Sequence, residues 1–126
     1  KKQRKSKTMK KLKESRLIRA KRTRIKIYLS GKHRLCVFRS NQHIYAQIID
    51  TSGSKIVASA STLESNFKEH LAIGSNIKAA EYVGRKIAER SLALGISTLA
   101  FDRSGYKFHG RIRALADAAR SSGINI

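Results

Sequence analysis

The feature that most constrains this chain is how unevenly its charge is spread. Residues 1–34 hold 16 lysines and arginines against one acid, Glu14, while residues 35–126 hold 12 basic and 7 acidic residues. A segment so self-repelling, with few large apolar side chains, does not build a core. The core must therefore come from the rest, which is long enough for one domain and too short for two. The expected organisation is a basic arm, residues 1–27, followed by a single domain, residues 28–126. The net charge of +20 points to a polyanionic partner.

Within the arm, KKQRKSKT (1–8) has nothing to bury and is expected to be disordered. From Met9 to Lys26 there is no Gly or Pro, and Lys, Arg and Leu favour helix, yet Met9, Leu12, Leu17 and Ile18 form only a ragged stripe. Such a helix is expected to be completed by counter-charge, as arginine-rich segments are by RNA. Its apolar face is too thin for a membrane-surface helix. No run approaches the roughly 18 apolar residues a membrane helix needs, and the one cysteine, Cys36, has no internal partner, which together suggest a soluble protein of a reducing compartment. The basic start has no apolar stretch behind it and is unlike a secretory signal. A start at Lys1, with the one Met at position 9, suggests trimming, an upstream extension or further leading residues.

The domain opens after a turn at Ser30-Gly31-Lys32. RLCVFRS (34–40) has strand composition, and HIYAQIID (43–50) alternates so that Ile44, Ala46 and Ile48 face a core while His43, Tyr45 and Gln47 face away. With KIVASA (55–60) these form a three-stranded antiparallel meander. Leu63, Phe67 and Leu71 allow a short helix or a loop. Ser75 or Asn76 caps a helix whose buried face is Ile77, Ala80, Val83, Gly84, Ile87, Ala88 and Leu92. Ile96–Phe101 reads as a strand, and 111–121 as a helix with Ile112, Leu115, Ala116 and Ala119 inward. The order βββαβα predicts an α/β fold in which a crossover sets the fourth strand parallel to one of the meander, with two helices packed on the mixed sheet. The loop after that strand, FDRSGYKFHGR (101–111), then lies at a carboxyl edge, where open α/β sheets place binding sites.

The residues argue against most catalytic chemistry. His33, His43, His70 and His109 are scattered and no CxxC is present, so neither a metal site nor any other cofactor is expected. Cys36 sits in an apolar strand and reads as a small core residue rather than a nucleophile. The alternative function is a metal-dependent nuclease acting on RNA, which would have to build its metal cluster from Asp50, Asp102 and Asp117. Asp102, followed at once by Arg103, is more simply a turn residue or an arginine's partner.

RNA binding has better material. Arg39, Ser40, Asn41, His43 and Tyr45 cluster at the first hairpin, where cations meet phosphates, Asn reads base edges and rings stack on unpaired bases. Arg103, Tyr106, His109, Arg111 and Arg113 repeat that chemistry in the last loop. That loop also has a purely structural reading, with Gly105 supplying a turn, Tyr106, Phe101 and Phe108 packed, and His109 capping. No helix-turn-helix or zinc-finger pattern favours DNA.

RLCVFRSNQHIYAQIID, ASASTLES, AAEYVGRKIAER and above all FDRSGYKFHGRIRALADAAR resemble the bacterial-type large-subunit ribosomal protein eighteen family from about Ser15 to Ile126. The resemblance implies a compact sandwich of ribonuclease H-like shape. It implies a non-enzymatic protein that binds 5S rRNA and helps it join the central protuberance of the large subunit, beside 23S rRNA and large-subunit ribosomal protein five. A bacterial cytoplasmic ribosome is implied before an organellar one, with no membrane, small-molecule substrate or homo-oligomer. The matching RNA-binding positions are Arg16, Arg19, Lys21, Arg22, Arg24 and Lys26 in the arm; Arg39, Ser40, Asn41, His43 and Tyr45 in the hairpin; and Arg103, Gly105, Tyr106, His109, Gly110 and Arg111 in the loop. Two features depart from the family pattern: the eight residues before Met9, and Ile126 in place of a terminal aromatic.

Overall fold

The computed structural model describes residues 2–64 and 76–126, with side chains from Lys13 onward. A long helix α1 (Lys2–Ser30) precedes strands β1 (Arg34–Arg39), β2 (Ile44–Ile49) and β3 (Ile56–Ser61). Helix α2 (Ile77–Ala93), strand β4 (Ala100–Asp102) and helix α3 (Gly110–Ser121) follow. The sheet order is β3-β2-β1-β4, antiparallel within the meander and parallel between β1 and β4. The α/β architecture and mixed sheet expected from the sequence are thus present. The short helix considered around Leu63, Phe67 and Leu71 falls mainly on residues 65–75, outside the described residues.

The main core lies on one face of the central strands. Leu35 and Val37 of β1 and Ile44, Ala46 and Ile48 of β2 share one face, because their registers pair Leu35 with Ile48 and Val37 with Ala46. Val83, Ile87 and Ala88 of α2 and Ile112, Leu115 and Ala119 of α3 close over it. Each of the Leu, Ile and Val side chains contributes about 1.5–3 kcal/mol by leaving water. The two helices pack at very short range at Gly84, where a Cβ would lie 2.3 Å from the Leu115 carbonyl oxygen and 2.9 Å from Ala118 Cβ. Two residues of the expected α2 face, Ile77 and Leu92, are instead about half-exposed at the helix ends.

Asn76 caps α2 by accepting a bond from the Ala79 N–H at 2.8 Å. Both α2 and α3 finish in Schellman motifs, with Ile96 N–H bonding Ser91 O and Ile124 N–H bonding Ala119 O. The first of these explains why the last strand is shorter and later than Ile96–Phe101. Ile96 belongs to the helix cap, while Ser97 and Leu99 bond the backbone of Asn125 rather than β1, leaving Ala100–Asp102 to pair with the sheet.

Helix α1 lies on the opposite face of the sheet, along β4. Its contact stripe is Arg16, Ala20, Arg24 and Ile27, at helical spacing, with Ala20 and Ile27 buried. It extends beyond Met9–Lys26 at both ends and stops at Gly31, whose φ is +71°.

Candidate nucleic-acid interface

Because β1 and β4 run parallel, their carboxyl ends share one edge of the sheet. The loop 103–109 leaves β4 there, the β1–β2 turn sits beside it, and the amino ends of α2 and α3 meet at the same edge. Between them lies an open basin of about 1010 Å³. Its walls carry six cations, Arg16, Arg19, Arg39, Lys78, Lys107 and Arg111, and no carboxylate.

The loop is fixed from below by Asp102, which is fully buried. Asp102 Oδ2 accepts bonds from Arg24 Nε at 3.1 Å and Arg34 Nη1 at 3.2 Å, and lies 3.6 Å from the Cys36 thiol. Its Oδ1 accepts the Ser104 N–H at 2.9 Å, which holds Ser104 at a φ of +55°. Gly105 follows at +77°, and a Cβ there would fall 2.1 Å from the Arg16 carbonyl oxygen. Only glycine permits both the turn and the approach of α1. Arg16 Nη1 then donates to Ser104 O at 2.8 Å, and Arg19 Nη2 to Gly105 O at 3.3 Å.

Above this base, the guanidinium carbons of Arg16 and Arg39 lie over the Tyr106 ring, 4.5 and 4.8 Å from its centroid. Tyr106 is half-buried, and its hydroxyl donates to Arg39 O at 3.4 Å. Arg111 Nη1 donates to Ser40 O at 2.9 Å and ties α3 to the hairpin. Partial burial, and then the charge of Arg39, push the Arg111 guanidinium pKa down. The basin thus concentrates positive charge that a bound anion would relieve.

Of the positions singled out from sequence, Arg16, Arg19, Arg39, Gly105, Tyr106, His109, Gly110 and Arg111 are brought to this basin. Ser40 and Asn41 form the adjoining turn, where Ser40 bonds His43 through backbone and hydroxyl. His43 Nδ1 pairs with Thr62 Oγ1 at 2.9 Å, and Tyr45 stands beside Phe38 on the sheet face that α2 and α3 do not cover. Lys21, Arg22 and Lys26 are exposed on the outer side of α1, whereas Arg24 is engaged with Asp102. Arg103 is exposed, and Arg113 pairs with Asp117 at 3.6 Å. His109 occupies the N-cap position of α3 without a side-chain capping bond. Phe101 packs on the core and Phe108 stacks edge-on against it at 6.1 Å.

Asn76, Ile77, Lys78 and Lys107 are added by the structure. Lys107 was within the loop motif; Lys78 carried no signal, since only the crossover brings the start of α2 beside residues 103–111. A nuclease built on Asp102 is contradicted by its surroundings, because both carboxylate oxygens are occupied beneath two arginines. Among the described residues no three His, Cys, Asp or Glu side chains gather to hold a metal ion. Nor is any described helix long and apolar enough to cross a membrane.

Comparison with known proteins finds relatives along most of the chain. Residues 9–126 match the family described as ribosomal L18 of archaea, bacteria, mitochondria and chloroplast, leaving the first eight residues outside the match. The chain is 57% identical to large ribosomal subunit protein uL18 of Nitrosospira multiformis, over 88% of this chain and 94% of that one. The uL18 proteins of Hydrogenovibrio crunogenus (53% identical, 89% and 96% covered) and Neisseria meningitidis (52%, 88% and 95%) are similar to it over a comparable length. The resemblance carried by FDRSGYKFHGR is therefore borne out along nearly the whole length, and the chain belongs to the ribosomal L18 family.

Proposed function

We propose that this chain is a structural, non-enzymatic protein of the large ribosomal subunit that binds 5S rRNA and attaches it at the central protuberance, beside 23S rRNA and large-subunit ribosomal protein five. The observation that carries the RNA part is the basin, with six cations and no acid assembled from α1, the β1–β2 turn, loop 103–109 and the amino ends of α2 and α3. Concave, acid-free cationic surfaces attract phosphates by releasing condensed counterions, while aromatic and guanidinium planes accept unpaired bases. Lys21, Arg22 and Lys26 on the outer side of α1 extend that field beyond the basin. The choice of 5S rRNA is supported by the loop and hairpin motifs shared with the family. Placement on a bacterial cytoplasmic ribosome is supported by the bacterial large-subunit relatives.

The direct test is to recover the tagged full-length chain from bacterial lysate, wash at high salt and sequence the retained RNA. A single dominant species, 5S rRNA, is expected, and it should stay intact on incubation with Mg²⁺ or Mn²⁺. A heterogeneous RNA population would contradict the 5S assignment, and cleavage of the RNA would contradict the binding role.

A further inference from the structure

Helix α1 is apolar on the side where a helix docked on a domain is ordinarily polar. Its inner stripe, with Arg16, Ala20 and Ile27, is held against the domain. Nine residues, or two and a half turns, separate Ile25 from Arg16, Ile18 from Ile27 and Leu29 from Ala20. The three aliphatic side chains therefore face away from the sheet, and they are 54% (Ile18), 52% (Ile25) and 78% (Leu29) exposed. With Arg22 they fall at 18, 22, 25 and 29, the alternating four-and-three spacing of a coiled-coil seam. Lys21 borders this seam on one side and Lys26 on the other. Both are exposed and, like Arg22, make no hydrogen bond or ion pair among the described residues.

The candidate coverings differ in chemistry. RNA phosphates would take the cations and leave the aliphatic side chains in water. A second copy of the chain would set Lys21, Arg22 and Lys26 against the same cations, and no acid lies between residues 18 and 29 to offset the repulsion. An anionic bilayer requires a broad apolar face, whereas this seam is one residue wide with a cation on each side. A helix with an apolar seam and acidic flanks meets both parts at once, because in paired helices the seam residues interlock while flanking charges pair across them. The stretch 18–29 spans about 16 Å. Since α1 is already formed and tied to the domain, it docks without the cost of ordering. We propose that the outward face of α1 binds an acidic amphipathic helix of a protein partner, with Ile18, Ile25 and Leu29 in the seam and Lys21, Arg22 and Lys26 paired to its carboxylates. Those three cations also serve the RNA-binding reading, so protein and RNA would occupy this face in turn. The proposal does not depend on that reading.

The probe is a labelled peptide of about three heptads with Leu at the seam positions and Glu on the flanks, titrated with the full-length chain. A control peptide carries Gln for each Leu and the same charge. The chain should bind the Leu peptide at least about 10-fold more tightly than the Gln peptide near physiological salt. Ile18→Gln/Ile25→Gln/Leu29→Gln should abolish that preference and keep the wild-type melting temperature, since the three sites are exposed and Gln favours helix. Equal binding of the two peptides by the wild type, or a preference that the variant retains, would overturn the proposal. Seam-dependent binding to phosphatidylserine vesicles with no preference between the peptides would assign the face to a membrane surface instead. A variant that keeps the peptide preference but loses 5S rRNA affinity would assign the seam to RNA. Absence of 5S rRNA binding in both proteins would count against the RNA-binding reading alone.

Discussion

Asp102 illustrates how one buried carboxylate fixes a loop from beneath. It joins α1 through Arg24, β1 through Arg34, and the loop through the Ser104 N–H. Asp102→Asn would leave the largely buried Arg34 and the partly exposed Arg24 without their counter-charge, and should cost about 3 kcal/mol in urea unfolding. Gly105→Ala should also destabilise, by at least about 1–2 kcal/mol from the left-handed backbone alone, with the clash against Arg16 O in addition. Cys36 gives a pH-dependent readout. Burial raises its thiol pKa, partly opposed by the Ser104 hydrogen bond. A thiol whose folded pKa lies above its unfolded value keeps its contribution to stability below the unfolded pKa and loses it as pH rises through the folded one. Iodoacetamide at about pH 8 should therefore label Cys36 slowly in the native protein and readily in urea; mass spectrometry would detect comparable rates if the thiol were accessible.

At the scale of elements, α1 has two faces with separate tasks. Arg16, Ala20, Arg24 and Ile27 hold it to the domain, while Lys21, Arg22 and Lys26 point outward. Replacing those three outward cations by Ala should flatten the dependence of log K on log salt by about 2–3 units with little change in melting temperature. Arg24→Ala should instead lower the melting temperature. The sequence made this division only half legible. The ragged stripe of Met9, Leu12, Leu17 and Ile18 was the visible pattern, but Leu17 and Ile18 are about half-exposed, and the true contact stripe mixes two arginines with Ala20 and Ile27. Arginines that serve as structural ties look the same in sequence as arginines awaiting phosphate. The meander, α2 and α3 were readable because period-2 and period-3.6 patterns report burial directly. β4 was less so, since Ile96–Leu99 has strand composition but is diverted to a helix cap and the chain terminus.

At the scale of the whole molecule, the site exists because the topology gathers distant segments. The parallel pairing of β4 with β1 puts the loop beside the hairpin, and the crossover through α2 brings Lys78 to the same edge. Motifs in the loop and hairpin could be found by composition and family likeness; their convergence with the start of α2 is a property of the fold alone. Lys78 and Lys107 line the basin and make no ion pair among the described residues, so they can be removed without loosening the structure. The measurement that bears most directly on the basin as the RNA-binding site is equilibrium binding of 5S rRNA by Lys78→Ala/Lys107→Ala, with Lys55→Ala, at the far end of the sheet, as control. The double variant should bind at least about 10-fold more weakly near physiological salt, with a salt slope shallower by about two units, an unchanged melting temperature and an unaffected control. Wild-type affinity and slope in the double variant would contradict the account.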